Sequence, residues 1–204
     1  MIATGALLFT YHTQAAETMT LEAIQHQWAH CKYDVFNEDN KINCLETLIQ
    51  QNQQALRYAP GNNELKVWLA INKSTLAGVN GGLGALSLVK EAKSLLEEVI
   101  EKNPKVLEGS AYTSLGSLYY QVPGWPLGFG DDEKAEQMLK KALTINPDGI
   151  DPNFFYGDYL ANEGRKAEAI AFLKKAQRAT PSPGRPLADR GRQQEIATKL
   201  KELQ

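Results

Sequence analysis

Two cysteines and three histidines in 204 residues leave little material for metal or thiol chemistry. Cys31 and Cys44 do not have a Cys-x-x-Cys spacing, so the pair alone makes no metal site. Neither sign of charge is in excess. The net charge is −2, with lysines and arginines interleaved with acids along helical stretches, and this excludes the basic face that nucleic acid requires. No apolar run approaches the roughly 20 residues of a membrane span. There is no serine elbow and no phosphate-loop lysine. The triplets Gly82-Leu83-Gly84 and Gly128-Phe129-Gly130 lack the preceding strand and the full glycine spacing of a phosphate loop. No segment alternates as a strand does, so the expected class is all-α.

The apolar run Met1–Phe9, followed by Thr13-Gln14-Ala15-Ala16, predicts a secretory signal over 1–16 with cleavage after Ala15 or Ala16. No lysine or arginine precedes the run, and an ordinary N-terminal segment is the alternative. No cysteine closely follows it, so no lipid anchor and no stable membrane attachment are expected. If the chain is exported, Cys31 and Cys44 are placed to form a disulfide near the tip of a helix pair. Otherwise they read as two small buried apolar residues.

What the chain does contain is a repeat. Four helical segments end in a small apolar residue followed five positions later by proline: Ala55/Pro60, Val99/Pro104, Ala142/Pro147 and Ala176/Pro181. The prolines are 44, 43 and 34 residues apart, and the last interval is the tetratricopeptide period. Gly157, Leu160, Gly164, Ala169, Leu173, Ala176 and Pro181 resemble the small, large, small, small, large, small and proline positions of that repeat. Leu115, Gly116, Tyr119, Ala135, Leu139, Ala142 and Pro147 resemble them one unit earlier. Small residues let antiparallel helices approach closely, and Gly164 permits the tight turn between them. The predicted architecture is a right-handed solenoid of helical hairpins at about 19–60, 62–104, 106–147 and 150–181, within a repeat body over 17–184. Asn37–Asn40 is the expected turn of the first hairpin. A helix over 185–204, with Pro186 at its start and Ile196, Leu200 and Leu203 on one stripe, is expected to cap the array.

Two corners of this array are enlarged. Gly157 and Ala169 are 12 residues apart, but Gly116 and Ala135 are 19 apart, and the seven extra residues fall in VPGWPLGFGDD (122–132). The preceding unit is expanded by the glycine-rich VNGGLGALS (79–87), read as a second insertion. Equivalent turns of a solenoid lie along one edge, so the two corners are expected to meet and form a docking place.

The segments GGLGALSLVKEA and YYQVPGWPLGFGDDEKA, within a similarity from about Leu65 to Leu200, resemble exported bacterial tetratricopeptide proteins of undefined role. Those are similar to the T-component of tripartite ATP-independent (TRAP) transporters. The resemblance implies a helical body offering a cleft or channel to a ligand or to the transporter's substrate-binding protein.

Candidate binding residues are Trp125 and Phe129 on the inserted loop, which either face a ligand or fold inward over helix ends. Tyr112, Tyr120 and Tyr156 are expected on the concave groove, and Tyr119 and Tyr159 in the core. His26 and His30 share a helical face but lack further ligands and read as surface histidines. Asp131 and Asp132 precede Glu133 at a helix start, where capping explains them. The expected function is a non-enzymatic, cofactor-free periplasmic scaffold that binds an envelope protein or peptide through its concave face and inserted loops. The alternative is a small-ligand-binding accessory of a TRAP-type transporter.

Overall fold

A computed structural model describes residues 19–204, and the predicted signal over 1–16 lies outside the described residues. Helix α1 (Leu21–Ala29) runs into a π-helical turn, His30–Asp34. Then follow α2 (Glu38–Tyr58), α3 (Asn63–Asn80), α4 (Gly82–Lys102), α5 (Ser110–Gln121), α6 (Asp132–Ile145), α7 (Ile150–Asn162), α8 (Lys166–Gln177) and α9 (Pro186–Glu202). Among the described residues no helix is long and apolar enough to cross a membrane.

Helix starts follow local chemistry. The side chains of Thr20, Asn37, Asn62 and Asp131 each accept a hydrogen bond from the backbone N–H three residues on, satisfying a donor that has no intrahelical partner. Asn37 is thus a cap, and Glu38–Asn40 form the first turn of α2 rather than the connection expected there. Pro186 opens α9 at a position where its missing N–H costs nothing.

The hairpins close on glycine–leucine contacts. A Cβ on Gly116 would stand 2.7 Å from Leu139 Cγ, and one on Gly157 would stand 2.9 Å from Leu173 Cγ. The two glycines occupy equivalent repeat positions, so α5/α6 and α7/α8 approach by the same device. Ala135, Leu139, Leu160, Ala169, Leu173 and Ala176 are fully buried around these contacts. Tyr119 and Tyr159 are buried with them, as their register predicts.

The glycine-rich stretch at 79–87 is not a loop. Gly81 and Gly82 take left-handed φ of +62° and +65° and reverse the chain between α3 and α4. The rest of the stretch is an added turn at the start of α4, because Ala85, Leu86 and Val89 continue the apolar spacing of a helix.

Helix α9 does more than cap. Ile196 and Leu200 close the last hairpin, packing with Phe154, Leu173 and Ala176. Ala188 and Leu187, two turns earlier, pack instead into the core that the first hairpin shares with α3, with Ile24, Trp28 and Trp68. The helix therefore joins the last repeat to the first across the inner side of the array. Gly191 permits this, since a Cβ there would meet the Tyr33 ring at 2.4 Å.

Candidate functional site

Alternate helices of a hairpin array run in the same sense, so α3, α5 and α7 stand side by side and present one inner wall. With α9 crossing in front, they line a half-open hollow of about 1190 Å³. Its apolar surface comes from Trp28, Trp68, Ile71, Leu86, Val89 and Leu118, with Phe154 and Phe155. Gly82, Ala85 and Leu86 from the first enlarged corner and Val122, Pro123 and Leu127 from the second line the same hollow. The two corners do come together.

The charged part of the wall is built where α9 meets α7 and the π-helical turn. Arg192 is buried over the rings of Phe154 and Phe155, 4.3 and 4.7 Å from their centroids. It donates through Nε to Asp151 at 2.9 Å and through Nη1 to Glu195. Burial alone would lower the Arg192 pKa, but Asp151 and Glu195 outweigh it and keep the guanidinium charged. Lys32 Nζ lies 2.9 Å from Glu195 and sits over the rings of Trp28 and Tyr33. Burial and the nearby Arg192 pull its pKa below the ordinary lysine value, against the opposing pull of Glu195. The Tyr33 hydroxyl is buried near Glu195 but meets no acceptor in hydrogen-bonding geometry, and burial raises its pKa. Arg185 stacks 5.2 Å from the Trp68 ring, its Nε buried without an acceptor. Further along, Asp158 accepts from Tyr120 at 2.8 Å and from Lys199 at 3.0 Å.

The tyrosines expected on the groove lie elsewhere. Tyr156 is 4 % exposed, with its ring against Phe172 and its hydroxyl donating to Glu136. Burial, then Glu136, raises its pKa. Tyr120 lies behind the wall, its ring edge against Tyr159, and burial followed by Asp158 raises its pKa well above the usual value. Tyr112 faces a separate depression with Pro104, Lys105, Lys141 and Ile145. A helix offers several buried sectors, and the rings of Tyr120 and Tyr156 fill the sectors between neighbouring hairpins.

The inserted loop splits its two aromatics. Phe129 folds inward, edge-on to Tyr119 at 5.9 Å and beneath Lys93. Trp125 is 90 % exposed and Leu127 69 % exposed. The loop is tied: Gly130 N donates to Pro123 O, Leu127 N and Gly128 N donate to Gly124 O, and Asp131 N donates to Tyr119 O. Asp131 caps α6, as its position predicts. Gly130 is required here, because a Cβ would stand 2.0 Å from Val122 O. Trp125 therefore neither covers helix ends nor roofs the hollow.

Cys31 and Cys44 form a disulfide across the first hairpin. The exposed His26 has Nε2 2.7 Å from Gly184 O, and His30 lies 3.7 Å from Asp34. Among the described residues no three His, Cys, Asp or Glu side chains are grouped to hold a metal. Sequence reasoning missed Lys32, Tyr33, Arg185, Arg192 and Glu195. They come from opposite ends of the chain and share no local pattern.

Comparisons with known proteins agree with this architecture. The tetratricopeptide repeat family model matches residues 127–148 and 150–183. A human protein O-mannosyl-transferase, TMTC2, is 31% identical over 96 residues, which is 47% of this chain and 11% of that protein. The chain thus spans about a tenth of that relative's length. The crystal structure of TTC0263, a thermophilic tetratricopeptide protein of Thermus thermophilus, is similar with a TM-score of 0.59 at 21% identity. That match covers 88% of this chain and 82% of the other. At that identity the likeness shows the fold: a tetratricopeptide helical array.

Proposed function

We propose that the protein is a non-enzymatic tetratricopeptide scaffold that docks a partner protein through the inserted loop between α5 and α6. The observation that carries this reading is Trp125, a large aromatic left 90 % exposed on a loop whose backbone is pinned at both ends. Exposed apolar groups held in place favour association, because the ordering cost is met before the partner arrives. Tryptophan is also the side chain most often found at the energetic centre of protein interfaces. Leu127 beside it widens the apolar contact. We take the setting to be the periplasm. The Cys31–Cys44 bridge, a feature of oxidising compartments, and the apolar N-terminal run both support export.

The test is capture from envelope extract, followed by titration of the purified partner. Trp125→Ala should weaken binding by about 30-fold or more, as an interface anchor does, while stability stays within about 1 kcal/mol of the wild type. Equal binding by both proteins would refute the reading. A second reading, a small-ligand carrier associated with a transporter, is favoured by one observation: the hollow is ringed by α9 rather than open along its length.

A further inference from the structure

We propose that the hollow is a receptor for an amphipathic carboxylate, its acidic head held by Arg185 at the cationic part of the wall and its apolar body lying along α3 and α4. This rests on the second reading above, that the hollow takes a small ligand, and names the class of ligand.

Charge is the first argument. The hollow is lined by five cations, Lys32, Lys41, Arg185, Arg192 and Lys199, against three carboxylates, Asp151, Asp158 and Glu195. Each of the three acids is already engaged: Asp151 with Arg192, Glu195 with Lys32 and Arg192, Asp158 with Lys199 and Tyr120. Lys32 and Arg192 are balanced by Glu195 and Asp151, so Arg185 and Lys41 are the cations without a counterpart in the wall. Neutral guests leave that excess standing, and a carboxylate offsets it.

Hydrogen-bond supply points the same way. Arg185 Nε is a buried donor without an acceptor, and the Tyr33 hydroxyl, buried beside Glu195, belongs to the adjoining part of the same wall, joined through Trp28 and Trp68. Arg192 uses Nε and Nη1 on its two acids, and Lys32 spends one of its three N–H groups on Glu195. The cluster is rich in donors and short of acceptors, and acceptor lone pairs are what a carboxylate brings.

The rest of the hollow sets the body of the ligand. Asp151 lies near the start of α7, whereas Val79 and Val122 lie at the far ends of α3 and α5, so the charged and apolar regions sit toward opposite ends of the inner helices. Trp68 and Gly78 are ten residues apart on α3, about 15 Å along its axis. That length, walled by Ile71, Leu86, Val89, Leu118 and Leu127, suits an alkyl or aryl chain, with the hydroxyl residues Ser110, Thr113, Ser114 and Ser117 of α5 along one side. Because α9 ties the last hairpin to the first, a continuous polypeptide would have to thread the ring, whereas a small molecule enters freely.

The test uses the full-length, disulfide-bonded protein, titrated with dodecanoate and with dodecanol below their aggregation limits. Binding is read by calorimetry and by the fluorescence of Trp28 and Trp68. Dodecanoate should bind about tenfold or more tightly than dodecanol, the step of one charge-assisted contact. Arg185→Gln, which strands no acid, should weaken dodecanoate by a similar factor and leave dodecanol unchanged. Leu86→Trp, which fills the apolar end, should weaken both. Equal affinities for acid and alcohol would overturn the head-group assignment while keeping a ligand site. Binding of neither probe by protein of unaltered circular dichroism, or dodecanoate binding untouched by Leu86→Trp, would overturn the ligand reading of the hollow.

Discussion

Replacing Gly191 with alanine tests whether α9 truly closes the array. In an exposed helix interior this exchange stabilises by about 0.5–1 kcal/mol, because alanine loses less backbone entropy. At Gly191 the new Cβ would lie 2.4 Å from Cδ1 and Cε1 of Tyr33 and 2.5 Å from Cγ. The overlap reaches the root of the ring, so a turn about the outer bond does not relieve it. Tyr33 is also confined by Trp28, edge-on at 5.8 Å, and by Lys32 above. Helix α9 must therefore move by about 1 Å, against the Lys32–Glu195 pair and the packing of Ala188. Overpacking of this kind costs about 1–3 kcal/mol, which outweighs the gain in helix propensity. For a chain of this size that lowers Tm by about 2–10 °C. The internal control is Gly78→Ala, near the end of α3, where a Cβ meets nothing within 4 Å; it should stabilise by a few tenths to 1 kcal/mol. Thermal and urea denaturation of both variants is the assay. If Gly191→Ala is as benign as Gly78→Ala, α9 does not lie against the first hairpin and the hollow lacks its front wall.

Reduction of the Cys31–Cys44 disulfide, whose cysteines are 13 residues apart, should cost about 2–4 kcal/mol by denaturant titration with and without reductant. Unreduced protein in denaturant should show no reactive thiol. Glu136, held down to about 2 by Arg165 and then Lys140, adds stability that is fully present above the ordinary glutamate range and is lost as pH falls toward 2. Partial exposure limits this to about 1 kcal/mol, so Glu136→Gln should be less stable than wild type at pH 6 and converge with it near pH 2. Asn153 is fully buried and donates to Pro147 O and Gly149 O, fixing the turn before α7. Asn153→Ala should cost about 1–3 kcal/mol in the same titration, since it removes both side-chain hydrogen bonds that hold the turn, each contributing about 0.5–1.5 kcal/mol.

What the sequence disclosed was what local spacing determines. The Gly116/Leu139 and Gly157/Leu173 contacts follow from the repeat, and so do the burial of Tyr119 and Tyr159 and the cap at Asp131. Stretch 79–87 misled because glycine marks both a loop and a left-handed reversal. Only Gly81 and Gly82 were needed for the turn, and the following Ala85, Leu86 and Val89 resumed a helix. Tyr120 and Tyr156 misled because a tyrosine with a partner for its hydroxyl packs inside as well as it binds outside, and Tyr112 because its side of α5 faces a different depression. Glu136 and Asp158, which supply those partners, are remote in sequence. The charged wall of the hollow was illegible for the same reason. Lys32 and Glu195 meet only because α9 turns back across the inner face, a path no periodicity announces.

That return path changes how such an array comes apart. Stacked hairpins touching only their neighbours lose structure from either free end. Here the two ends are clasped, so damage to one should be felt at the other: shortening the chain before Pro186 would loosen α1, more than 150 residues away in sequence.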